Sequence, residues 1–310
     1  MLKKNIIITG GNGFVGKNIL KLLGGGFNVY SVQRRFDRSE SLSDGCITYI
    51  TYKQFFEMDF DSDTVFIHLA GAAHKKFLYE EAKCINFDLT KKLLDRCIEL
   101  KISKFIFLSS ANVYKEQDGI INLTSQTSKN LPNTISTKLL AEVYIQSITD
   151  VGLINSVIIR SPLIYGEDVK ANFASLMRFV GKGLPLPFKA IKSNKRSFVS
   201  IYNLVDLIKV CIDNPKAANQ VFLVSDDHDL STAEVVELMA NVQGKKNFAL
   251  PVPVWCFKLA GKLLNKSDVI DRLTGSLQLD ISHTKNTLDW KPPFSVEHGF
   301  KLAAEKPSTK

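Results

Sequence analysis

The chain has 310 residues, 45% of them hydrophobic, with 40 Lys and Arg against 31 Asp and Glu, for a formal net charge of +9. That hydrophobic share excludes a disordered polymer and leaves room for one large or two moderate domains. A basic surface attracts nucleic acid, anionic lipid and anionic small molecules alike; the spread of basic residues among acidic ones argues against a nucleic-acid footprint, and a pyrophosphate-bearing ligand fits the charge equally well.

The N-terminus, Met1-Leu2-Lys3-Lys4-Asn5, enters an apolar strand too short for a signal-peptide core. Continuous apolar runs predict strands over Asn5–Thr9, Asn28–Val32, Ile47–Thr51, Thr64–Leu69, Lys104–Ser109 and Asn155–Arg160. Helical periodicity fills Val15–Leu23, Glu80–Leu100 and Ile135–Val151 between them. This alternation implies an α/β fold, a doubly wound parallel sheet of the Rossmann type. After Pro162 the pattern changes: Gly181–Pro187 reads as loop, a helix near Leu204–Ile212 follows, and Gln220–Val224 is a short strand that rejoins the sheet. The expected division is a dinucleotide domain over 1–165, with a return segment at about 198–225, and a partly interleaved C-terminal cap over 166–197 and 226–310.

Phe248–Leu264 is the most membrane-like stretch, but Pro251, Pro253, Lys258 and Lys262 make it a poor spanning helix. It is expected as a buried or domain-packing helix, with membrane-surface contact as the lesser alternative. The tail Lys306–Lys310 is expected to fray. Five scattered cysteines (Cys46, Cys84, Cys97, Cys211 and Cys256) show no CxxC or metal-finger spacing. They are read as core thiols of a cytoplasmic protein without a metal centre.

The first βα corner carries the strongest signal. Ile6-Ile7-Ile8-Thr9 runs into Gly10-Gly11-Asn12-Gly13-Phe14-Val15-Gly16 and then a helix. Gly10 and Gly13 permit a tight turn and close approach to a pyrophosphate. Gly16 lets the helix pack on the strand, and the helix N-terminus offers free N–H donors. The second strand ends Gln33-Arg34-Arg35 with no acid before Asp37. Arginine there accommodates a 2′-phosphate, so NADP is expected ahead of NAD.

With that corner in place, further runs resemble the extended short-chain dehydrogenases/reductases that act on nucleotide sugars. They are His68-Leu69-Ala70-Gly71, Ser109-Ser110-Ala111-Asn112-Val113-Tyr114, Arg160-Ser161-Pro162-Leu163-Ile164-Tyr165-Gly166, Arg196-Ser197-Phe198-Val199 and Leu288-Asp289-Trp290-Lys291-Pro292. The resemblance implies an NAD(P)-dependent 4-epimerase or 4-keto-reductase moving a hydride at C4 of a UDP-sugar, possible homodimerisation through Glu80–Leu100 and Ile135–Val151, and no membrane span. It further implies that Leu69, Ala70 and Gly71 line the cofactor site, that Lys138 holds the nicotinamide ribose, and that Ser110 bonds the sugar O4. Asn86, Asn172, Arg196 and Arg272 are implied on the substrate side.

One position departs from the resemblance. The tyrosine expected four residues before Lys138 is Thr134. A phenol with a pKa of about 10 can be drawn toward neutrality by a cation, whereas an aliphatic hydroxyl cannot. Three explanations stay open: another proton donor with Thr134 as relay, a catalytically silent binder of nucleotide sugars, or a deliberate substitution. His74, just after the fourth strand, is the substitute acid weighed here, against a plain pocket-shaping role.

Overall fold

Ile6, Ile7 and Ile8 are wholly buried, which neighbouring residues of one strand achieve only when helices cover both faces of the sheet. The computed structural model describes residues 3–34, 47–72, 76–114, 119–169 and 171–305; of these, the side chains of 24, 171, 172 and 268 are not described. Chain order runs β1 (Asn5–Thr9), α1 (Phe14–Leu23), β2 (Asn28–Gln33), β3 (Ile47–Thr51), α2 (Tyr52–Glu57) and β4 (Val65–His68). Then come α3 (Tyr79–Lys83), α4 (Leu89–Glu99), β5 (Lys104–Ser110), β6 (Ile120–Ile121), α5 (Asn133–Asp150), β7 (Asn155–Ser161) and β8 (Leu163–Tyr165). Next are α6 (Ala171–Gly181), β9 (Phe198–Ser200), α7 (Ile201–Asp213), β10 (Gln220–Leu223) and α8 (Thr232–Val242). The chain closes with α9 (Val254–Leu263), α10 (Ser267–Thr274), β11 (Gln278–Leu279), α11 (Ser282–Leu288) and α12 (Val296–Ala304).

Seven strands form one sheet in the order β10-β7-β5-β4-β1-β2-β3, every pairing parallel. The expected Rossmann-type sheet is therefore present, and Gln220–Leu223 rejoins it as its edge. Chain direction across the sheet reverses between β1 and β4, which opens a crevice at the carboxyl ends of these strands. One face is covered by α1 and α7, through Ile19, Leu204 and Ile208. The other is covered by α2, α4 and α5, through Phe55, Leu93 and Ile145. A separate apolar core joins Tyr165, Phe173, Met239 and Phe300 beyond the sheet. There the Tyr165 hydroxyl donates to Asp226 Oδ2 at 2.6 Å, while Ser200 N and Asn203 Nδ2 donate to Asp226 Oδ1 at 2.8 and 2.7 Å.

The structure refines the sequence expectations at particular elements. The helix read over Glu80–Leu100 is interrupted by one wide turn, Cys84–Asp88, because an extra residue enters the backbone ladder around Asn86. Leu277, Leu279, Ile281, Leu288 and Trp290 pack into the sheet core. Of the two alternatives for Phe248–Leu264, the domain-packing helix is the one seen: only Val254–Leu263 is helical, Phe257 and Gly261 pack against Phe188 and Ile270, and Trp255, Leu259 and Leu263 are exposed. Cys97 and Cys211 are core thiols, but Cys84 is exposed. Cys46 and the tail 306–310 lie outside the described residues. Among the described residues no helix is long and apolar enough to cross a membrane.

Candidate functional site

The corner between β1 and α1 is shaped by glycine chemistry. Gly10 sits at φ +77°, and a Cβ there would stand 2.7 Å from Ala70 N; a Cβ on Gly16 would collide with Gly10 O. Gly13 N donates to Gly10 O at 2.9 Å, closing the turn. No acidic residue occupies the first turn of α1, so nothing there competes with an anion for the helix-end amides. Only backbone can line this corner, which is what a linking diphosphate needs.

A cleft of about 830 Å3 opens above it, lined by Gly10, Asn12, Gly13, Arg34, Leu69, Ala70 and Gly71 together with Val32, Gln33 and Tyr52. Phe14, Val15 and Gly16 form the first turn of α1 immediately beyond the glycine corner. Asn12 Oδ1 accepts from Gln33 Nε2 at 2.9 Å, tying the glycine turn to the end of β2. The residues fit a dinucleotide: the glycines leave a cradle that side chains would fill, and the cleft runs on from it to Gly71.

At Gly71 the cleft meets the reactive groups. A Cβ on Gly71 would stand 3.1 Å from Asn86 Oδ1 and 3.4 Å from Lys138 Cε. Asn86 is a clamp: its Oδ1 accepts from Ala72 N at 2.7 Å, and its Nδ2 donates to Thr134 O and Thr137 Oγ1, both at 3.0 Å. The wide helical turn aims Asn86 across to the start of α5, so one side chain ties the loop after β4 to the first turns of α5. Lys138 Nζ donates to Leu108 O at 3.2 Å. Burial lowers its pKa to about 8, with the charge of Glu142 opposing the drop. Thr134 is buried one helical turn before Lys138, on the same face of α5. Ser110 ends β5 and accepts from Asn112 N at 3.2 Å.

The remaining expected residues lie apart from this cluster or cannot be placed. Arg196 bridges to Leu230 and Leu277 and donates to Gly275 O at 3.2 Å. Arg272 is exposed in the last turn of α10, three residues before Gly275. Asn172 lies on α6, but its side chain is not described, and His74 and Arg35 lie outside the described residues.

Sequence reasoning missed the support beneath Lys138. Glu142 is buried, accepts from Arg160 Nε and Nη2 at 3.0 and 2.6 Å, and takes a short hydrogen bond from Ser109. Arg160 also donates to the Tyr114 hydroxyl. The available signal was spacing: Glu142 follows Lys138 by one helical turn. His68 was quoted only as part of a run, yet it is fully buried between Thr9 Oγ1 (2.6 Å) and Thr90 Oγ1 (2.9 Å). Burial, with the charge of Lys138 adding, drives its pKa down to about 3, so it stays neutral at physiological pH.

A parallel sheet with a glycine-lined crevice and a lysine of lowered pKa at its far end defines a Rossmann-type enzyme of the extended short-chain dehydrogenase/reductase class. The chain belongs to the NAD dependent epimerase/dehydratase family, whose sequence model matches residues 6–225. It is 44% identical over 318 aligned positions to a UDP-glucose 4-epimerase of Vibrio cholerae, covering 98% of this chain and 95% of that one. The fold matches a UDP-glucuronic acid 4-epimerase from Bacillus cereus in complex with NAD, with TM-score 0.76, 19% identity and coverage of 97% and 95%. It also matches a UDP-N-acetylglucosamine 4-epimerase from Bacillus cereus, with TM-score 0.78, 18% identity and coverage of 97% and 98%.

Proposed function

We propose that this protein interconverts the C4 epimers of a UDP-sugar. The observation that carries the reading is Lys138, set beside Gly71 where the glycine-lined cleft ends, with Thr134 and Ser110 nearby on α5 and β5. The 44% identical UDP-glucose 4-epimerase favours epimerisation over one-way ketone reduction.

NAD bound in the cleft supplies reversible hydride acceptance at the sugar C4. The family and the NAD-containing neighbour favour NAD over the NADP expected from Arg34-Arg35. Gly10, Gly13 and the first turn of α1 hold the linking phosphates, and Asn12, Leu69 and Ala70 wall the cleft. Ser110 hydrogen-bonds the sugar O4. Lys138 would hold the nicotinamide ribose, and its amine, neutral in about a tenth of the molecules at pH 7 and about half of them at pH 8, takes the O4 proton through the Thr134 hydroxyl. Asn86 ties the loop after β4 to the start of α5 and does not meet the sugar. Arg196, Arg272 and Asn172 hold the UDP moiety from the cap; arginine suits diphosphate because its planar fork matches two oxygens at once.

The division into a dinucleotide body (1–165 and about 198–225) and a cap remains part of this reading, with 277–290 joined to the first body. A homodimer through α4 and α5 belongs to it too, since Leu140 and Val143 of α5 are exposed. A second reading, a silent nucleotide-sugar binder, is favoured by Thr134 alone. Incubating the purified chain with NAD and either UDP-glucose or UDP-N-acetylglucosamine, and following the sugar by NMR, separates the two. Appearance of the C4 epimer supports the enzyme; binding of both ligands without conversion supports the silent binder.

A further inference from the structure

The stretch 244–267 contains five lysines (Lys245, Lys246, Lys258, Lys262 and Lys266) and no acidic residue. All five are exposed. Within it α9 rests on the cap through Phe257, stacked on Phe188 with ring centroids 5.9 Å apart, and through Gly261, where a Cβ would stand 2.7 Å from Ile270 of α10. A helix seated on that side turns its other side outward. Trp255, Leu259 and Leu263, spaced i, i+4, i+8, are 66, 52 and 77% exposed. Lys258 and Lys262 flank this stripe by helical spacing, and Leu264, Phe248 and Leu250 add exposed apolar surface around it.

Single exposed leucines need no explanation, but an apolar stripe headed by tryptophan and edged with lysine does. Its length excludes a span: ten residues fall well short of the roughly 20 that cross a bilayer. A two-fold contact with a second copy would set the same lysines against one another, a like-charge clash. α10 carries Asp268 and Asp271 against Arg272, one net negative charge, which leaves the five lysines of 244–267 in clear excess.

We propose that this face docks on an anionic lipid bilayer, with Trp255, Leu259 and Leu263 entering the headgroup layer and the lysines meeting lipid phosphate. The helix lies in the plane of the interface, as short amphipathic helices with tryptophan, leucine and lysine do. This binding is separate from the sugar chemistry and holds whichever reading of the cleft is correct.

The test is sedimentation of the full chain with vesicles of phosphatidylglycerol and phosphatidylcholine, or of phosphatidylcholine alone. The expected result is salt-sensitive binding to the anionic vesicles only. The other tryptophan, Trp290, is buried, so a vesicle-dependent blue shift in emission reports on Trp255. The double variant L259S/L263S is expected to lose binding while its melting temperature and nucleotide-sugar turnover hold, because both side chains face solvent. Lys258→Gln with Lys262→Gln should weaken binding about thirtyfold, at about fivefold per lysine. Absence of binding, equal binding to both vesicle types, or wild-type binding by L259S/L263S would overturn the proposal. So would a change of oligomeric state in L259S/L263S by light scattering, which would assign the stripe to a protein partner.

Discussion

Replacing Lys138 with Met keeps the length of the side chain and removes the charge that burial opposes. The fall of the lysine pKa from its ordinary 10.5 to about 8 corresponds to about 3 kcal/mol, at about 1.36 kcal/mol per unit. Part of this is offset: the residue retains some solvent contact, and the variant loses the 3.2 Å bond to Leu108 O. A net gain of about 1 to 2 kcal/mol remains at pH 7. For a chain of this size that raises the melting temperature by about 2 to 3 °C. The folded pKa lies below the unfolded one, so between pH 8 and 10.5 the folded wild type holds fewer protons than the unfolded chain, and its stability climbs with pH. The advantage of the variant should therefore be full below pH 8, shrink above it, and vanish by about 10.5. Thermal melts of both proteins from pH 7 to 10 read this directly. A variant less stable than wild type at pH 7, or an advantage independent of pH, would refute the reasoning.

Two further outcomes follow from the same site. If the Lys138 amine accepts the O4 proton, turnover rises with pH to a plateau, with a midpoint near the lysine pKa of about 8; a pH–rate profile with its midpoint below 7 assigns the proton to another group. Gly10→Ala forces a side chain into a φ of +77° and against Ala70 N, so it should weaken NAD binding by at least about a hundredfold and cost about 1 to 3 kcal/mol of stability, checked by calorimetric titration and melting.

Much of the sheet was readable because its strands are buried on both faces, and continuous apolar runs such as Ile6-Ile7-Ile8 have few other uses. The glycine corner was readable because backbone sterics leave Gly10 and Gly16 little choice of residue. The wide turn at Cys84–Asp88 was not, since the one-residue slip in phase it introduces is small against the scatter of a short helical pattern. The clamp role of Asn86 was equally hidden, because its partners Ala72, Thr134 and Thr137 meet it only in three dimensions. How much of α9 stays uncovered was not readable for a physical reason: periodicity shows that a helix has an apolar side, not whether the fold covers it. Likewise nothing in the sequence marks Glu142 as buried, since Arg160 and Ser109 close around it only in the fold.

The central claim is that the hydrogen on C4 leaves the sugar and returns to it within the cleft that ends at Lys138. UDP-glucose deuterated at C4, incubated with the chain and NAD in ordinary water, tests it most directly by mass and NMR analysis of the epimer formed. Deuterium retained at C4 of the product is the predicted result. Loss of the label to solvent, or label and configuration both unchanged after NAD and sugar have bound, would contradict it.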